Sequence, residues 1–224
     1  MSQPSSKAGL FISFEGGEGA GKSTQIKKCA SWLETICPTL EIITSREPGG
    51  TQSAEAIRAL LVQGDEDRFQ PKTDALLMLA SRVEHVECLI KPALERGAIL
   101  LIDRFSDSSF VYQSLSGGFS LDDLCDLHQR SIGDIRPDVT YLFDLDPEIG
   151  LQRAGARQSQ IEARFESKGL AFHQNVRETY LGLAKGNERF EILDAAQDET
   201  ALFEQISTSI MRHLRSRDLI PDSS

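Results

Sequence analysis

One glycine-rich segment constrains the fold of this chain more than any other feature. Residues 16–23 read Gly-Gly-Glu-Gly-Ala-Gly-Lys-Ser, which matches the pattern G-x-x-x-x-G-K-[ST]. An apolar run at 10–14 precedes it, and a segment with helical spacing at 22–36 follows it. Because the pattern requires a strand before it and a helix after it, these segments predict a phosphate-binding loop between a strand and a helix.

The residue types of this loop suit a polyphosphate ligand. Glycines allow backbone N–H groups to turn toward phosphate oxygens, and the start of the following helix carries partial positive charge. Lys22 is expected to reach the β- and γ-phosphates of ATP, and the Ser23 hydroxyl is placed for Mg²⁺. The predicted nucleotide-binding residues are Gly16, Gly17, Glu18, Gly19, Ala20, Gly21, Lys22, Ser23 and Thr24.

Beyond this loop, apolar runs alternate with helical patterns. Further strands are predicted over 41–44, 98–102, 139–143 and 190–193. Helices are predicted over 52–62, 73–95, 105–115, 121–131, 171–185 and 199–215, with another beginning at Pro147. This alternation predicts an α/β protein with the P-loop NTPase three-layer fold, in which helices cover both faces of a five-stranded parallel sheet.

The domain organisation follows from the same pattern. A single domain is expected over residues 10–215, with a mobile lid at about 153–166 that is rich in Arg, Gln and Ser. Residues 1–9 are expected to form a disordered lead, and residues 216–224 a loose tail.

Composition and charge exclude several classes of protein. The formal net charge of −10 disfavours non-specific binding to nucleic acid or anionic membranes, and no apolar run approaches the roughly 20 residues of a membrane span. The cysteines have neither C-x-x-C spacing nor a histidine at zinc spacing, which favours buried thiols in a cytoplasmic protein. These cysteines are Cys29, Cys37, Cys88 and Cys125.

An acidic residue and an arginine follow the most apolar predicted strand. Asp103 is expected to hold Mg²⁺ together with Ser23, although a helix N-cap is an alternative role. Arg104 stands where a mechanical ATPase would usually carry a water-activating Glu, which favours transfer to another acceptor over hydrolysis. Arg104 and Arg46 suit the capture of a second phosphate group. Arg153, Arg157 and Arg164 form a further basic group, but any one of these arginines is equally explained as a solvated surface charge.

Other nucleotide-binding classes fit less well. The chain has no N-K-x-D segment of the kind with which GTPase switches recognise guanine. Residues 115–118, Leu-Ser-Gly-Gly, resemble the signature of transport ATPases, but they follow the hydrophobic strand instead of preceding it, and we interpret them as a junction between helices. His85, His128 and His173 are interpreted as solvated or helix-face residues without a general-base role.

The sequence resembles thymidylate kinases, the P-loop nucleoside monophosphate kinases that phosphorylate dTMP. The resemblance rests on residues 14–24, on residues 46–51 (Arg-Glu-Pro-Gly-Gly-Thr), and on residues 103–105 with 108–109 and 112–113. Residues 136–138 and 144–147 also match, and the likeness extends from about residue 10 to 213. The Arg-Glu-Pro-Gly-Gly-Thr segment is highly specific, because it is not a general feature of P-loop proteins.

This resemblance implies a role for each matching residue at the acceptor. Arg104, with Arg46, would hold the phosphate of dTMP, and Glu18 would lie near the 3′-OH of the acceptor sugar. Arg82 would hydrogen-bond the thymine carbonyl, and Ser109 would face the edge of the base.

The resemblance also addresses the sugar, the stacking position and the lid. Tyr112 would lie under the deoxyribose and leave no room for a 2′-OH, whereas Met78 stands where the family usually has a Phe that stacks on thymine.

The lid has Ala163 where an Asp is frequent. As in the bacterial subtype, the loop lacks a basic residue before Lys22, and lid arginines would supply it. The implied catalytic residues are Glu18, Lys22, Arg104, Arg153 and Arg157.

Phosphoryl transfer from Mg·ATP to dTMP, giving ADP and dTDP without a covalent enzyme intermediate, is the function that these observations favour. Such kinases are typically homodimers packed through helices. The helix from Thr73 is a candidate for that interface, although an ordinary core face explains its pattern equally well. Another monophosphate kinase and a nucleotide-dependent regulatory module are the alternatives.

Overall fold

The computed structural model describes residues 9–63, 68–155 and 168–221. Within these residues a five-stranded sheet has the order β2-β3-β1-β4-β5. Its strands are β1 (Leu10–Gly16), β2 (Ile42–Arg46), β3 (Ile99–Asp103), β4 (Val139–Asp144) and β5 (Phe190–Asp194). Each neighbouring pair is parallel. The predicted fold class is therefore confirmed.

Helices connect the strands. They are α1 (Lys22–Ile36), α2 (Gln52–Val62), α3 (Pro71–His85), α4 (Lys91–Glu95), α5 (Ser106–Leu115), α6 (Leu121–Ile132), α7 (Pro147–Gly155), α8 (Leu170–Ala184) and α9 (Glu199–Ser216). The sequence predicted one continuous helix over 73–95, but a π-helical turn, Val86–Ile90, separates α3 from α4. Pro92 explains this difference, because it has no N–H for the regular hydrogen-bond ladder, and the Lys91 amide instead donates to the carbonyl of Val86.

Alternate side chains of β1 enter two different cores, one on each face of the sheet. Leu10, Ile12 and Phe14 pack in a cluster with buried residues of α1 and α9. Phe11 points to the other face and packs with Leu100 of β3 and with buried residues of the π-helical turn, α4 and α6. Because successive strand residues face opposite sides, both faces of the central strand are covered, as a three-layer fold requires.

The strand register brings the loops that carry the predicted site to one edge of the sheet. Phe14 in β1 and Arg46 in β2 both pair with Asp103 in β3, and Gly16 pairs with Phe143 in β4. All strands therefore end at the same edge, where ligands of open α/β sheets bind.

The C-terminal segment differs from the loose tail that the sequence predicted. Arg217 pairs with Asp138 and donates to the carbonyl of Gly9 over 3.2 Å. Leu219 and Ile220 pack against the core. The apolar contacts and the ion pair therefore hold this segment against the sheet as far as the described chain extends. Residues 1–8 and 222–224 lie outside the described residues.

The cysteine prediction is correct for two of the four thiols. Cys29 and Cys37 are buried, but Cys88 and Cys125 are exposed, and all four are free. The two exposed thiols lie on surface positions of the π-helical turn and of α6, where no core packs against them. Among the described residues, no helix is long and apolar enough to cross a lipid bilayer.

Candidate active site

The glycine-rich loop joins β1 to α1 in a conformation that needs glycine. Gly19 has φ 67°, and a Cβ atom there would lie 2.0 Å from the carbonyl oxygen of Gly150. Gly21, with φ 93°, is the N-cap residue of α1 and has no side chain that could cap the helix. The first N–H groups of the helix are therefore left for an anionic ligand. The Lys22 Nζ donates to the carbonyl oxygens of Gly16 (3.1 Å) and Gly17 (2.7 Å). The ammonium group is therefore held across the loop.

Ser23 and Asp103, the predicted metal ligands, meet at the end of the sheet. The Ser23 hydroxyl donates to Asp103 Oδ2 over 2.8 Å. Phe105 occupies the N-cap position of α5, so Asp103 does not have the alternative capping role. No group of three or more His, Cys, Asp or Glu forms a metal cluster within the described ranges. A hydroxyl and one carboxylate nevertheless fit Mg²⁺, which takes oxygen ligands and usually binds one or two carboxylates plus substrate phosphates.

Arg104 has a backbone conformation that its sequence does not reveal. Its φ of 66° lies in the left-handed region, which costs a non-glycine residue about 1–3 kcal/mol and is concentrated at functional sites. Its amide donates to the carbonyl of Phe14 over 3.0 Å. The guanidinium donates through Nη1 to the Gly16 carbonyl (3.0 Å) and through Nη2 to Glu18 Oε1 (2.6 Å). These contacts place the arginine against the phosphate-binding loop.

Glu18 is an ionised carboxylate at the centre of this group. Burial raises the pKa of Glu18, but the positive charges of Arg104 and then Lys22 outweigh burial, so its pKa is lowered overall. The Tyr112 hydroxyl donates to Glu18 Oε1 over 3.3 Å. The Arg104 Cζ atom lies 5.2 Å from the centre of the Tyr112 ring, a cation–π contact. Three of the predicted site residues therefore form one contiguous group.

A cavity of about 680 Å³ opens beside this group. It is lined by Glu18, Glu47, Pro48, Arg58, Leu61, Val62, Asp74, Met78, Arg82, Arg104, Phe105, Ser108 and Tyr112. Arg104 and Glu18 in this lining also contact each other beside the phosphate-binding loop, and the apolar part of the lining comes from Pro48, Leu61, Val62, Met78 and Phe105.

Arg82 is held at the cavity wall by groups on two separate segments, the loop after β2 and the start of α5. Its Nε donates to Glu47 Oε2 over 2.7 Å, and its Nη2 donates to the Ser109 hydroxyl (2.8 Å) and the Phe105 carbonyl (3.1 Å). Ser109 thus contacts the predicted base-binding arginine but is not among the described residues that line the cavity. Burial raises the pKa of Glu47, yet Arg82 and His85 lower it more, so the carboxylate stays ionised in the core.

His85 was interpreted as a solvated or helix-face residue, and this is wrong. Its side chain is fully buried, Nδ1 lies 2.9 Å from Glu47 Oε1, and Nε2 lies 2.8 Å from the Ser45 hydroxyl. His128 and His173 are also buried: the His128 ring packs on the rings of Phe105 and Phe110, and the His173 ring packs on Phe172. Burial lowers the pKa of His128 to about 4. The missed signal for His85 is its position, one helical turn after Arg82 on α3.

Several predicted site residues are not brought to the cavity in the described part of the chain. The Arg46 guanidinium is half-exposed and pairs with Glu55 at 3.2 Å, away from the cavity lining. Arg153 lies within α7 and donates to the carbonyl of Ala195 over 3.2 Å. The rest of the predicted lid, with Arg157, Ala163 and Arg164, falls within residues 156–167, which lie outside the described residues.

The Leu-Ser-Gly-Gly segment lies at a junction, as interpreted from the sequence. Leu115 is the last residue of α5, and Leu121 is the first residue of α6. Gly117 has φ 79° in the turn between them. The segment is therefore part of a helix–turn–helix connection.

Comparison with known proteins decides the family. A family model described as Thymidylate kinase matches residues 14–206. The chain belongs to the thymidylate kinase family. Thymidylate kinase of Caulobacter vibrioides is 46% identical over 207 residues, which cover 92% of this chain and 98% of the relative. Thymidylate kinase of Pseudomonas putida is 44% identical over 196 residues, which cover 87% and 91% of the two chains.

A solved structure agrees with this assignment. The crystal structure of thymidylate kinase from Ehrlichia chaffeensis superimposes with a TM-score of 0.72 at 28% identity, covering 91% of this chain and 99% of that one. The family reaction is the ATP-dependent phosphorylation of dTMP to dTDP. The chain is accordingly a nucleotide kinase that uses ATP as the phosphate donor.

Proposed function

We propose that this thymidylate kinase transfers the γ-phosphoryl group of ATP, bound by residues 16–24, directly to dTMP bound in the 680 Å³ cavity. One observation carries the proposal. The Arg104 guanidinium lines that cavity and donates to the Gly16 carbonyl of the phosphate-binding loop, so it stands at the border between the two halves of the site. An arginine in this place can neutralise and align the acceptor phosphate next to the donor.

The donor side is assigned to the loop. The backbone of residues 16–21 would bind the phosphates of ATP, and Lys22 would neutralise charge on the transferring group. Ser23 and Asp103 would hold Mg²⁺, which would neutralise negative charge on the phosphates of ATP. Their 2.8 Å hydrogen bond supports this pairing.

The acceptor side is assigned to the cavity. Arg104 would bind the phosphate of dTMP, Arg82 would donate to a thymine carbonyl, and Met78 would pack on the base. Glu18 would lie near the 3′-OH, where its ionised form orients Arg104 through their 2.6 Å contact. The substrate-binding role of Arg46 and the catalytic roles of Arg153 and Arg157 stay predictions from the resemblance.

The experiment that tests the function is a coupled assay of ADP release. With Mg²⁺ and ATP present, adding dTMP is expected to raise ADP release by orders of magnitude over the rate without an acceptor, and chelating the metal is expected to abolish it. ADP release that does not depend on dTMP would indicate an ATPase. Nucleotide binding without turnover would indicate a regulatory module.

Tyr112 gives a prediction about sugar selectivity. Replacing Tyr112 with Ala is expected to raise kcat/KM for the 2′-hydroxylated form of dTMP, relative to dTMP itself, by about tenfold or more, because the ring no longer excludes the 2′-OH. Steady-state kinetics with the two acceptors measure the ratio. Tyr112→Phe is the matched control, since it keeps the ring and loses only the hydroxyl that donates to Glu18. An unchanged ratio in Tyr112→Ala would contradict the role.

We also propose that the enzyme is a homodimer packed through α2 and α3. Leu60 on α2 and Leu76 on α3 are exposed apolar side chains, 41% and 48% accessible in the single chain. Leu76→Glu is expected to shift the sedimentation velocity of the full chain from a dimer to a monomer. Leu121→Glu, at an exposed leucine of α6, is the control that should stay dimeric. A monomeric parent chain would refute the proposal.

A cytoplasmic location is proposed from the redox state of the cysteines. All four are free thiols, which is the usual state of cysteines in a reducing compartment.

A further inference from the structure

A buried cluster of three oxygen-bearing side chains lies directly behind Arg104. Glu15 of β1, Ser108 of α5 and Tyr180 of α8 are at most 5% exposed. Glu15 Oε2 accepts hydrogen bonds from the Ser108 hydroxyl (2.6 Å) and the Tyr180 hydroxyl (3.0 Å). The two hydroxyl oxygens lie 2.8 Å apart. Arg104 Nη1 points at both of them, at 3.3 Å from Ser108 and 3.4 Å from Tyr180.

The hydrogen-bonding capacity of these groups fixes their direction. Each hydroxyl has one proton and two acceptor lone pairs, whereas a guanidinium has only donors. When the Glu15 carboxylate accepts both hydroxyl protons, the lone pairs of Ser108 and Tyr180 are left to accept from Arg104. The second carboxylate oxygen, Oε1, accepts from the Phe105 amide over 2.7 Å, so Glu15 cannot turn away from the cluster.

The charges around Glu15 are consistent with this arrangement. Burial and then the carboxylate of Asp107 raise the pKa of Glu15 to about 7, against the opposing Ser108 hydrogen bond and the Arg104 charge. Asp107 is itself paired with Arg189 at 2.8 Å. Glu15 is therefore ionised in mildly alkaline solution, where it acts as the double acceptor.

We propose that Tyr180, oriented by Glu15, is a positioning residue that holds the Arg104 guanidinium in place for the acceptor phosphate. The proposal rests on the proposed function, because it presumes that Arg104 binds the phosphate of dTMP. Gly16 and Glu18 hold the guanidinium from the side of the loop, and Tyr180 with Ser108 holds it from behind. A guanidinium fixed from both directions loses less conformational entropy when the phosphate binds.

Replacing Tyr180 with Phe tests the proposal, since only the hydroxyl is removed. Binding of dTMP and of thymidine, which lacks the phosphate, is measured by titration calorimetry on the full chain at about pH 8, where Glu15 is ionised. We expect the Kd of dTMP to rise about tenfold, as for the loss of a hydrogen bond to a charged group, while the Kd of thymidine stays unchanged. The KM for ATP should also stay unchanged.

Tyr141→Phe is the matched control for this substitution. Tyr141 is a fully buried tyrosine of β4 that packs in the core beneath α1 and α9, away from the cavity. The control should leave the affinities for dTMP and thymidine as they are in the parent enzyme. Thermal denaturation of both variants reports whether the fold survives the loss of a buried hydroxyl.

Glu15→Gln is the second variant. The glutamine side chain has one accepting oxygen, so it can accept from the Phe105 amide or from the two hydroxyls but not from both, and the arrangement that directs the hydroxyl lone pairs at Arg104 is weakened. We expect the same phosphate-specific loss of affinity, and we expect Tyr180→Phe combined with Glu15→Gln to lose less than the product of the single effects. Ser108→Ala removes the second acceptor and should give a loss of the same kind.

Two results would overturn the proposal. Unchanged dTMP affinity in Tyr180→Phe would mean that the hydroxyl has no such role, and an equal loss for dTMP and thymidine would mean that it only supports the cavity wall. A parent enzyme that binds thymidine and dTMP equally well, or neither of them, would instead refute the proposed function and the assignment of Arg104.

Discussion

Replacing Arg104 with alanine is expected to lower kcat/KM for dTMP by about 10³-fold while binding of ATP is retained. Among the described cationic residues that line the acceptor cavity, Arg104 is the one that contacts the phosphate-binding loop. The Gly16 carbonyl and Glu18 hold its guanidinium there. Its removal takes away charge neutralisation and alignment of the acceptor phosphate. Steady-state kinetics measure the first quantity, and calorimetry with a non-hydrolysable ATP analogue measures the second.

Two controls separate this role from a general effect. Arg96 is a half-exposed arginine that pairs with Glu41 and precedes β3, at the edge of the sheet opposite the site. Arg96→Ala should leave kcat/KM unchanged. Arg104→Ala combined with Glu18→Gln removes the carboxylate that the first substitution leaves buried without its partner. A loss of ATP binding as large as the loss of dTMP activity would contradict the assignment to the acceptor.

Replacing Arg82 with leucine is expected to lower the free energy of unfolding at neutral pH by about 3–5 kcal/mol. Arg82 and Glu47 form an ion pair at 2.7 Å in which both side chains are 4% exposed. Without the arginine, the Glu47 carboxylate remains in the core, where His85 Nδ1 lies 2.9 Å from its Oε1 atom. Urea denaturation of the parent and the variant measures the difference.

The pH dependence of this effect has a definite sign. The pKa of Glu47 is lowered from its ordinary value of 4.5. The stability that the ionised carboxylate contributes is therefore complete above about pH 4.5 and is lost as the pH falls through the lowered pKa. In the variant, the unpaired carboxylate becomes protonated in acid and its penalty disappears. The stability difference between parent and Arg82→Leu should thus shrink on acidification.

A double substitution identifies the source of the loss. Arg82→Leu with Glu47→Leu removes both charges and should recover most of the stability, because an apolar pair of similar volume avoids the cost of a buried charge. A double variant as unstable as Arg82→Leu would show that packing of the arginine, and not its charge, is responsible.

Much of the fold was predictable because its signals are local. Each strand is a short apolar run, and each helix shows its own spacing, so residues 98–102 predicted β3 within one residue of its observed bounds. The π-helical turn before Pro92 was missed, since the helical spacing continues through it. The two exposed cysteines were missed because a thiol's burial depends on which helix face meets the core.

The site was predictable only in part, for a related reason. Ser23 and Asp103 were expected to act together, and their side chains do meet because the strands before them end at the same edge of a parallel sheet; their role as Mg²⁺ ligands stays a prediction. Arg46 was expected to join Arg104 in binding a second phosphate group, yet its side chain pairs with Glu55 on α2. The direction of a long charged side chain depends on the nearest partner, which strand spacing does not indicate.

The amino-acid sequence by itself determined the phosphate-binding loop, the alternation of strands and helices, and membership of the family, because these depend on contiguous residues. Only the tertiary structure decided which buried groups meet. Glu15 lies 93 residues from Ser108 and 165 from Tyr180, and all three meet behind an arginine whose own φ is positive. Such contacts depend on strand order and on how helices pack across the sheet, and a hydrogen bond between distant residues leaves no periodic trace in the chain.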